Sequence, residues 1–158
     1  RVSLTPEPGG SRGQEAIVAQ ETTTVECKDP PAFVTFYDMR SVDQPLPVST
    51  FMPHQIDPLT MRSRDKKWCG PGSRYGAHNL CLDMAKDDLL HICWFNGGLR
   101  IVDWSNPFRP EEVGYYLPAG TTEYPYPQSN DVFVDKATGL VYLADRSGLG
   151  LHILEFTG

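Results

Sequence analysis

The chain has no apolar run approaching the roughly 18 residues of a membrane-spanning helix. Its first residues, Arg1-Val2-Ser3-Leu4-Thr5-Pro6, do not form a signal peptide, and the absence of an initiator Met reads as a processed or excised piece. No Cys-x-x-Cys pair occurs among Cys27, Cys69, Cys81 and Cys93, so zinc-ribbon and thioredoxin-like chemistry fail on spacing. The sequence also lacks HExxH, P-loop and GxSxG patterns and a GxGxxG ahead of a helix, leaving standard metalloprotease, NTPase, hydrolase and Rossmann mechanisms without support. Positive charge is scarce: 14 Lys and Arg stand against 20 Asp and Glu, for a net charge of −6. With no basic stripe to neutralise phosphates, nucleic acid drops out as a partner.

What remains is a globular composition. Of 158 residues, 40% are hydrophobic, 11% aromatic and 22% charged, too rich in aromatics for a disordered chain. Fourteen Gly and 14 Pro favour many turns between short strands over long helices. Cys27 and Cys69 lie in Pro/Gly-rich loop sequence, where a disulfide can form in an oxidising compartment. Cys81 and Cys93 sit inside apolar runs and read as buried free thiols.

Internal self-similarity gives the architecture. About 65 positions apart, Tyr37-Asp38 matches Val102-Asp103, and Pro45, Val48, Phe51 and Pro53 match Pro110, Val113, Tyr116 and Pro118. About 52 positions apart, residues 78–83 match residues 130–135, and Gly98-Leu99 with Ile101-Val102-Asp103 matches Gly150-Leu151 with Ile153-Leu154-Glu155. The two spacings differ because a long insert, 54–76, interrupts the series.

The middle repeat, 77–118, resolves into four strands at about 77–83, 88–95, 99–104 and 112–117, with turns at 84–87, Asn96-Gly97-Gly98 and Ser105-Asn106-Pro107. That is one four-stranded propeller blade. The first repeat, 15–53, offers three strands with no apolar strand ahead of them, and 1–14 is an unplaced leader. The last, 129–156, offers the first three strands and stops before a fourth. The expected fold is therefore all-β, a partial β-propeller of about two and a half four-stranded antiparallel blades, incomplete without further polypeptide. A missing N-terminal portion or another chain would supply the remaining blades and cover the open edges.

The segment from Gly97-Gly98-Leu99-Arg100-Ile101-Val102-Asp103 through Ser105-Asn106-Pro107 to Pro110-Glu111-Glu112-Val113-Gly114 resembles the LVIVD repeat: an apolar strand ending in Asp, a Ser/Asp-Pro turn and a Pro-x-x-Val-Gly return. Residues 76–79, 129–135 and 150–155 are similar to the C-terminal blades of bacterial proteins of this type. The resemblance implies a propeller that is periplasmic, extracellular or on the cell surface, and it carries no general activity.

In a propeller the first strand of each blade lines the central channel, so residues opening that strand converge at one mouth. His78 and Asn79 from one blade and Asn130 and Asp131 from the next are therefore candidate ligand-binding residues, able to hold a polar ligand or a divalent metal ion. Pairing Asp83 with Asp88 across the 84–87 turn would set His78 opposite Cys93 and Leu80 opposite His91, so that His78 and Cys93 could bind a soft metal. The structural alternative is that these side chains cap backbone groups. Asp38, Asp83, Asp103 and Asp135 recur at equivalent turns, where Asp accepts local amide hydrogen bonds.

The insert is basic in an acidic chain, with Arg62, Arg64, Lys66 and Lys67, and leads through Arg74 and Tyr75 into His78. Folded across the mouth, Arg74 and Tyr75 could gate it or bind an anionic or aromatic ligand. Tyr115, Tyr116, Tyr124 and Tyr126 suit packing between blades. The primary functional expectation is a non-catalytic binding or scaffold propeller that contacts protein partners through loops and open edges; the alternative is a metal-dependent oxidoreductase with its site at the channel mouth.

Overall fold

Short apolar stretches bounded by Gly, Pro, Asn and Asp fold into strands among the described residues, and neighbouring strands pair antiparallel. A computed structural model describes residues 2–4, 15–28, 32–57, 59–60, 62–64, 66–82 and 88–158. The first sheet contains β1 (Val2–Leu4), β2 (Glu15–Ala19), β3 (Val34–Asp38) and β4 (Leu46–Phe51), in that order. The insert carries a two-stranded hairpin, β5 (Ile56–Asp57) with β6 (Arg62–Ser63), and a 3-10 turn at Lys66–Cys69. The second sheet orders β7 (Leu80–Leu82), β8 (Leu89–Cys93), β9 (Leu99–Asp103) and β10 (Glu111–Tyr116). The third orders β11 (Ser129–Val134), β12 (Leu140–Asp145) and β13 (Gly150–Glu155).

The chain is thus all-β, built as successive blade-like sheets that do not close into a barrel among the described residues. Of the innermost strands, β7 neighbours both β1 and β11, as successive strands around a common axis do. No helix among the described residues is long and apolar enough to cross a membrane.

Two expectations need correction. Val2–Leu4, within the stretch expected to be an unplaced leader, pairs with β2, Val2 opposite Val18 and Leu4 opposite Ala16, so the first sheet has its inner strand; residues 1 and 5–14 lie outside the described residues. Three residues are too few to show a period-two pattern, and the pairing that makes them a strand is not local. The register of β7 on β8 is also one residue from that expected, with Leu80 opposite Ile92 and Cys81 opposite His91. A local irregularity brings His78 back level with Cys93: the His78 amide donates to the Cys93 carbonyl at 2.8 Å, and the Cys93 amide donates to the Asn79 carbonyl at 2.9 Å. Asp83 and the 84–87 turn lie outside the described residues.

The recurring aspartates perform the expected turn chemistry. Asp38 accepts from the Arg40 amide at 2.9 Å, Asp103 from Ser105 at 2.8 Å and Asp135 from Ala137 at 3.1 Å. Asp145, at the end of β12, accepts from Ser147 in the same way at 2.8 Å.

Packing is between sheets, and the middle one is covered on both sides. Leu90, Ile92 and Val102 join Ile17, Val34, Phe36 and Phe51 in one cluster; Leu89, Cys93, Leu99 and Ile101 join Val132, Val134, Val141 and Leu143 in another. Every residue of β8 is consequently buried. Aromatic rings fill the seam between the first two sheets: Phe36 stacks on Trp104 at 6.4 Å, and Phe51 meets Trp94 edge-on at 6.1 Å. At about 1.5–3 kcal/mol per buried large aliphatic or aromatic side chain, these two seams supply most of the force holding the sheets together.

Candidate site at the inner-strand ends

The site forms where segments of all three sheets meet at the start of the inner strands, and its centre is a residue that the sequence did not single out. Phe95 follows β8, is completely buried, and bridges to Ser129 at the start of β11. Its backbone has φ of 43°, a left-handed conformation unusual outside Gly, and is held there by the Ser129 amide donating to its carbonyl at 3.0 Å. Three nitrogen-bearing side chains surround the ring. His78 stacks on it at 4.7 Å, the Arg146 guanidinium lies 4.9 Å from its centroid and that of Arg74 5.7 Å.

Ion pairs and hydrogen bonds tie this cluster to its neighbours. Glu21, just past β2, approaches Arg74 at 3.7 Å and His78 Nδ1 at 3.5 Å. Arg146 donates from Nε to Gln128 at 3.1 Å and from Nη1 to Asn130 at 3.4 Å. Asn130 also hydrogen-bonds the His78 ring. The cluster therefore draws Glu21 from the first sheet, Arg74, His78 and Phe95 from the second, and Asn130 and Arg146 from the third. Its natural chemistry is cation–π and ion-pair stapling of three sheets, with Arg146, the most exposed of its cations, turned toward solvent.

Of the residues expected here, His78, Arg74 and Asn130 come together. Asn79 is half-buried beside them, and exposed Asp131 adds a carboxylate whose field reaches His78. Tyr75 does not belong to the mouth. It is buried between Trp68 and Trp94, at ring distances of 5.5 and 6.3 Å, and burial pushes its hydroxyl up to about 12. Its neighbours are apolar rings because the insert folds inward there: Trp68 is buried, and its carbonyl accepts from Asn96 Nδ2 at 2.7 Å. A gating role for Tyr75 is replaced by one in the core.

Cys93 is likewise a core residue. Its thiol packs with Leu89, Leu99 and Val132, and burial raises its pKa well above the ordinary value, away from the thiolate a soft metal requires. Cys81, also outside any disulfide, is half-buried, and its thiol donates to the Leu82 carbonyl at 3.6 Å. Among the described residues no group of three or more His, Cys, Asp or Glu comes together to hold a metal ion, so the His78 and Cys93 pairing does not extend to a ligand set. Of the basic residues in the insert, Arg64 is exposed and lines a cleft with His54, Gln55 and Arg100; the side chains of Arg62, Lys66 and Lys67 lie outside the described residues.

His78 has a pKa below its ordinary 6.5, first because burial disfavours the imidazolium, with the Glu21 carboxylate acting against that shift. The unfolded chain then binds more protons than the folded one as pH falls through and below 6.5, so this residue's contribution favours folding above that pH and diminishes below it. We expect stability to decline as pH drops below 6.5, and His78→Phe to flatten that part of the profile; an unchanged slope in urea titrations of the variant would assign the decline to other groups.

The fold and site together define an all-β protein of propeller-like sheets stapled at their inner ends. No family model matches the chain, and no curated protein is significantly similar to it.

Proposed function

We propose that this chain is part of a non-catalytic binding or scaffold propeller, exported or displayed at the cell surface, whose ring is completed by further blades. The observation that carries the reading is the Phe95 cluster. Its charged and polar groups are committed to one another: Glu21 with Arg74 and His78 between the first and second sheets, and Arg146 with Gln128 and Asn130 within the third, from which its guanidinium reaches Phe95 of the second at 4.9 Å. Groups committed to such contacts hold a framework rather than stand poised for proton transfer or metal binding. The Cys27–Cys69 disulfide supports an oxidising compartment, in agreement with the LVIVD-like pattern in residues 97–114.

Metal analysis of protein purified from its native source tests this reading. The expected content is below about a tenth of an equivalent of any transition metal. Stoichiometric metal that disappears in His78→Ala, with the variant still folded, would replace the scaffold reading with a metal-dependent one.

A further inference from the structure

The third sheet turns one face to the second sheet and the other to solvent, and the solvent face is apolar. Phe133 pairs with Tyr142 and Tyr142 with Ile153, giving one row across all three strands; Ala144 pairs with Leu151 in the next row. Phe133, Leu151 and Ile153 are 61%, 60% and 59% exposed, and the Phe133 and Tyr142 rings lie 6.3 Å apart. Clustered exposure of this kind, unlike single exposed apolar residues, marks an interaction surface.

The second sheet shows what such a face is for. Cys81 pairs with His91 and His91 with Ile101 in the row that corresponds to Phe133, Tyr142 and Ile153, while Leu99, paired with Cys93, corresponds to Leu151. In the second sheet His91, Cys93, Leu99 and Ile101 are buried, because the third sheet lies over them. The covering surface consists of Val132 and Leu143 in one row and Val134, Val141 and Leu154 in the next. The same positions of the same pattern are thus covered in one sheet and bare in the other.

We propose that the outer face of the third sheet is an interface for a further antiparallel blade of the same repeat, presenting two cross-strand rows of Val and Leu like those of the third sheet itself. The proposal rests on the scaffold reading, in which further blades complete the ring. The contact would continue an interface already built once between the second and third sheets. Asp131 and Glu155 flank the apolar rows with negative charge, which disfavours an anionic bilayer as occupant. The outer face of the first sheet is a poorer candidate, since Ala16 and Thr35 on it are already buried.

The test places a photo-crosslinking benzoylphenylalanine at Phe133, and separately at Ile153, in the protein expressed in its native host, with the exposed turn residue Thr138 as control. Cross-linked peptides are sequenced by mass spectrometry. The expected product at both face positions, and not at Thr138, is a strand with alternating Val or Leu from a blade of this repeat. Ile153→Lys is expected to lower the yield at Phe133 by about tenfold, whereas Leu46→Lys, equally exposed but on the first sheet, leaves it unchanged. Cross-links to a protein segment of another kind would overturn the proposal and leave the scaffold reading standing. Lipid adducts, or no adduct at either position, would overturn it as well. The scaffold reading fails separately, on the metal analysis. Folding of each variant is checked by its thermal midpoint, and both face positions are exposed enough to accept substitution.

Discussion

Replacing Cys27 or Cys69 with Ser is expected to remove about 4 kcal/mol of stability, a large share of the 5–15 kcal/mol typical of a domain. The cysteines are 42 residues apart, and loop-closure entropy for a ring of that size gives about 4 kcal/mol at 25 °C. The bond joins the connection between β2 and β3 to the insert, and the surrounding contacts depend on that junction. The Glu26 amide donates to the Ser73 carbonyl at 2.8 Å, and the Ser73 hydroxyl, fully buried, lies within 2.9 Å of the Trp68 carbonyl and 2.7 Å of that of Gly70. Loss of the bond should free Trp68 from beside Tyr75, shifting tryptophan emission to longer wavelength before global unfolding. Equal urea midpoints for oxidised and reduced protein would show that the insert is held by packing alone.

The second large effect is expected at Arg100, whose side chain is 1% exposed. Its Nη1 lies 3.3 Å from Glu112 Oε1, its Nε donates to the Gly97 carbonyl at 3.0 Å, and its guanidinium covers the Tyr115 ring at 5.3 Å. Glu112→Ala removes the carboxylate and leaves a buried cation with, among the described residues, the Gly97 carbonyl and the Tyr115 ring as partners. A change of this kind costs about 3–5 kcal/mol. With a urea dependence of about 2 kcal/mol per molar, the midpoint should fall by about 2 M. Replacing both residues, Arg100→Met with Glu112→Leu, should recover most of the loss, because the expense lies in leaving one charge alone. A double variant no more stable than Glu112→Ala would instead assign Arg100 a packing role that Met cannot fill.

The repeating parts of the fold were legible in the sequence because each carries local turn chemistry. Asp103 with Ser105, and Asp135 with Ala137, mark strand ends by residue type alone. β1 was not legible: Val2–Leu4 becomes a strand through β2, across a segment whose sequence gives no sign of the pairing. At the site, polar residues opening the inner strands pointed to His78 and Asn130, which the structure brings into one cluster, whereas Phe95 looked like one more apolar residue at the end of a buried run. Its one signal was its place just before Asn96-Gly97-Gly98, where a turn sets the ring at the junction of the sheets. Glu21 lay beyond reach because its partners Arg74 and His78 belong to another sheet, and Arg146 because the ring it covers, Phe95, follows a strand of the second sheet. Tyr75 misled for a related reason: a loop rich in Gly and Pro reads as surface, but Trp68 and Tyr75 turn this one into a wedge.

The burial of β8 on both faces also dictates how the molecule opens. Leu90 and Ile92 cannot reach water unless the first sheet separates, nor Leu89 and Cys93 unless the third does. Its amides should therefore exchange with solvent deuterium only in the least frequent opening events, more slowly than those of β13, where exposed residues alternate along the strand. Partial unfolding would then advance from the two outer sheets inward, with β8 and its partner β9 the last pair to lose protection.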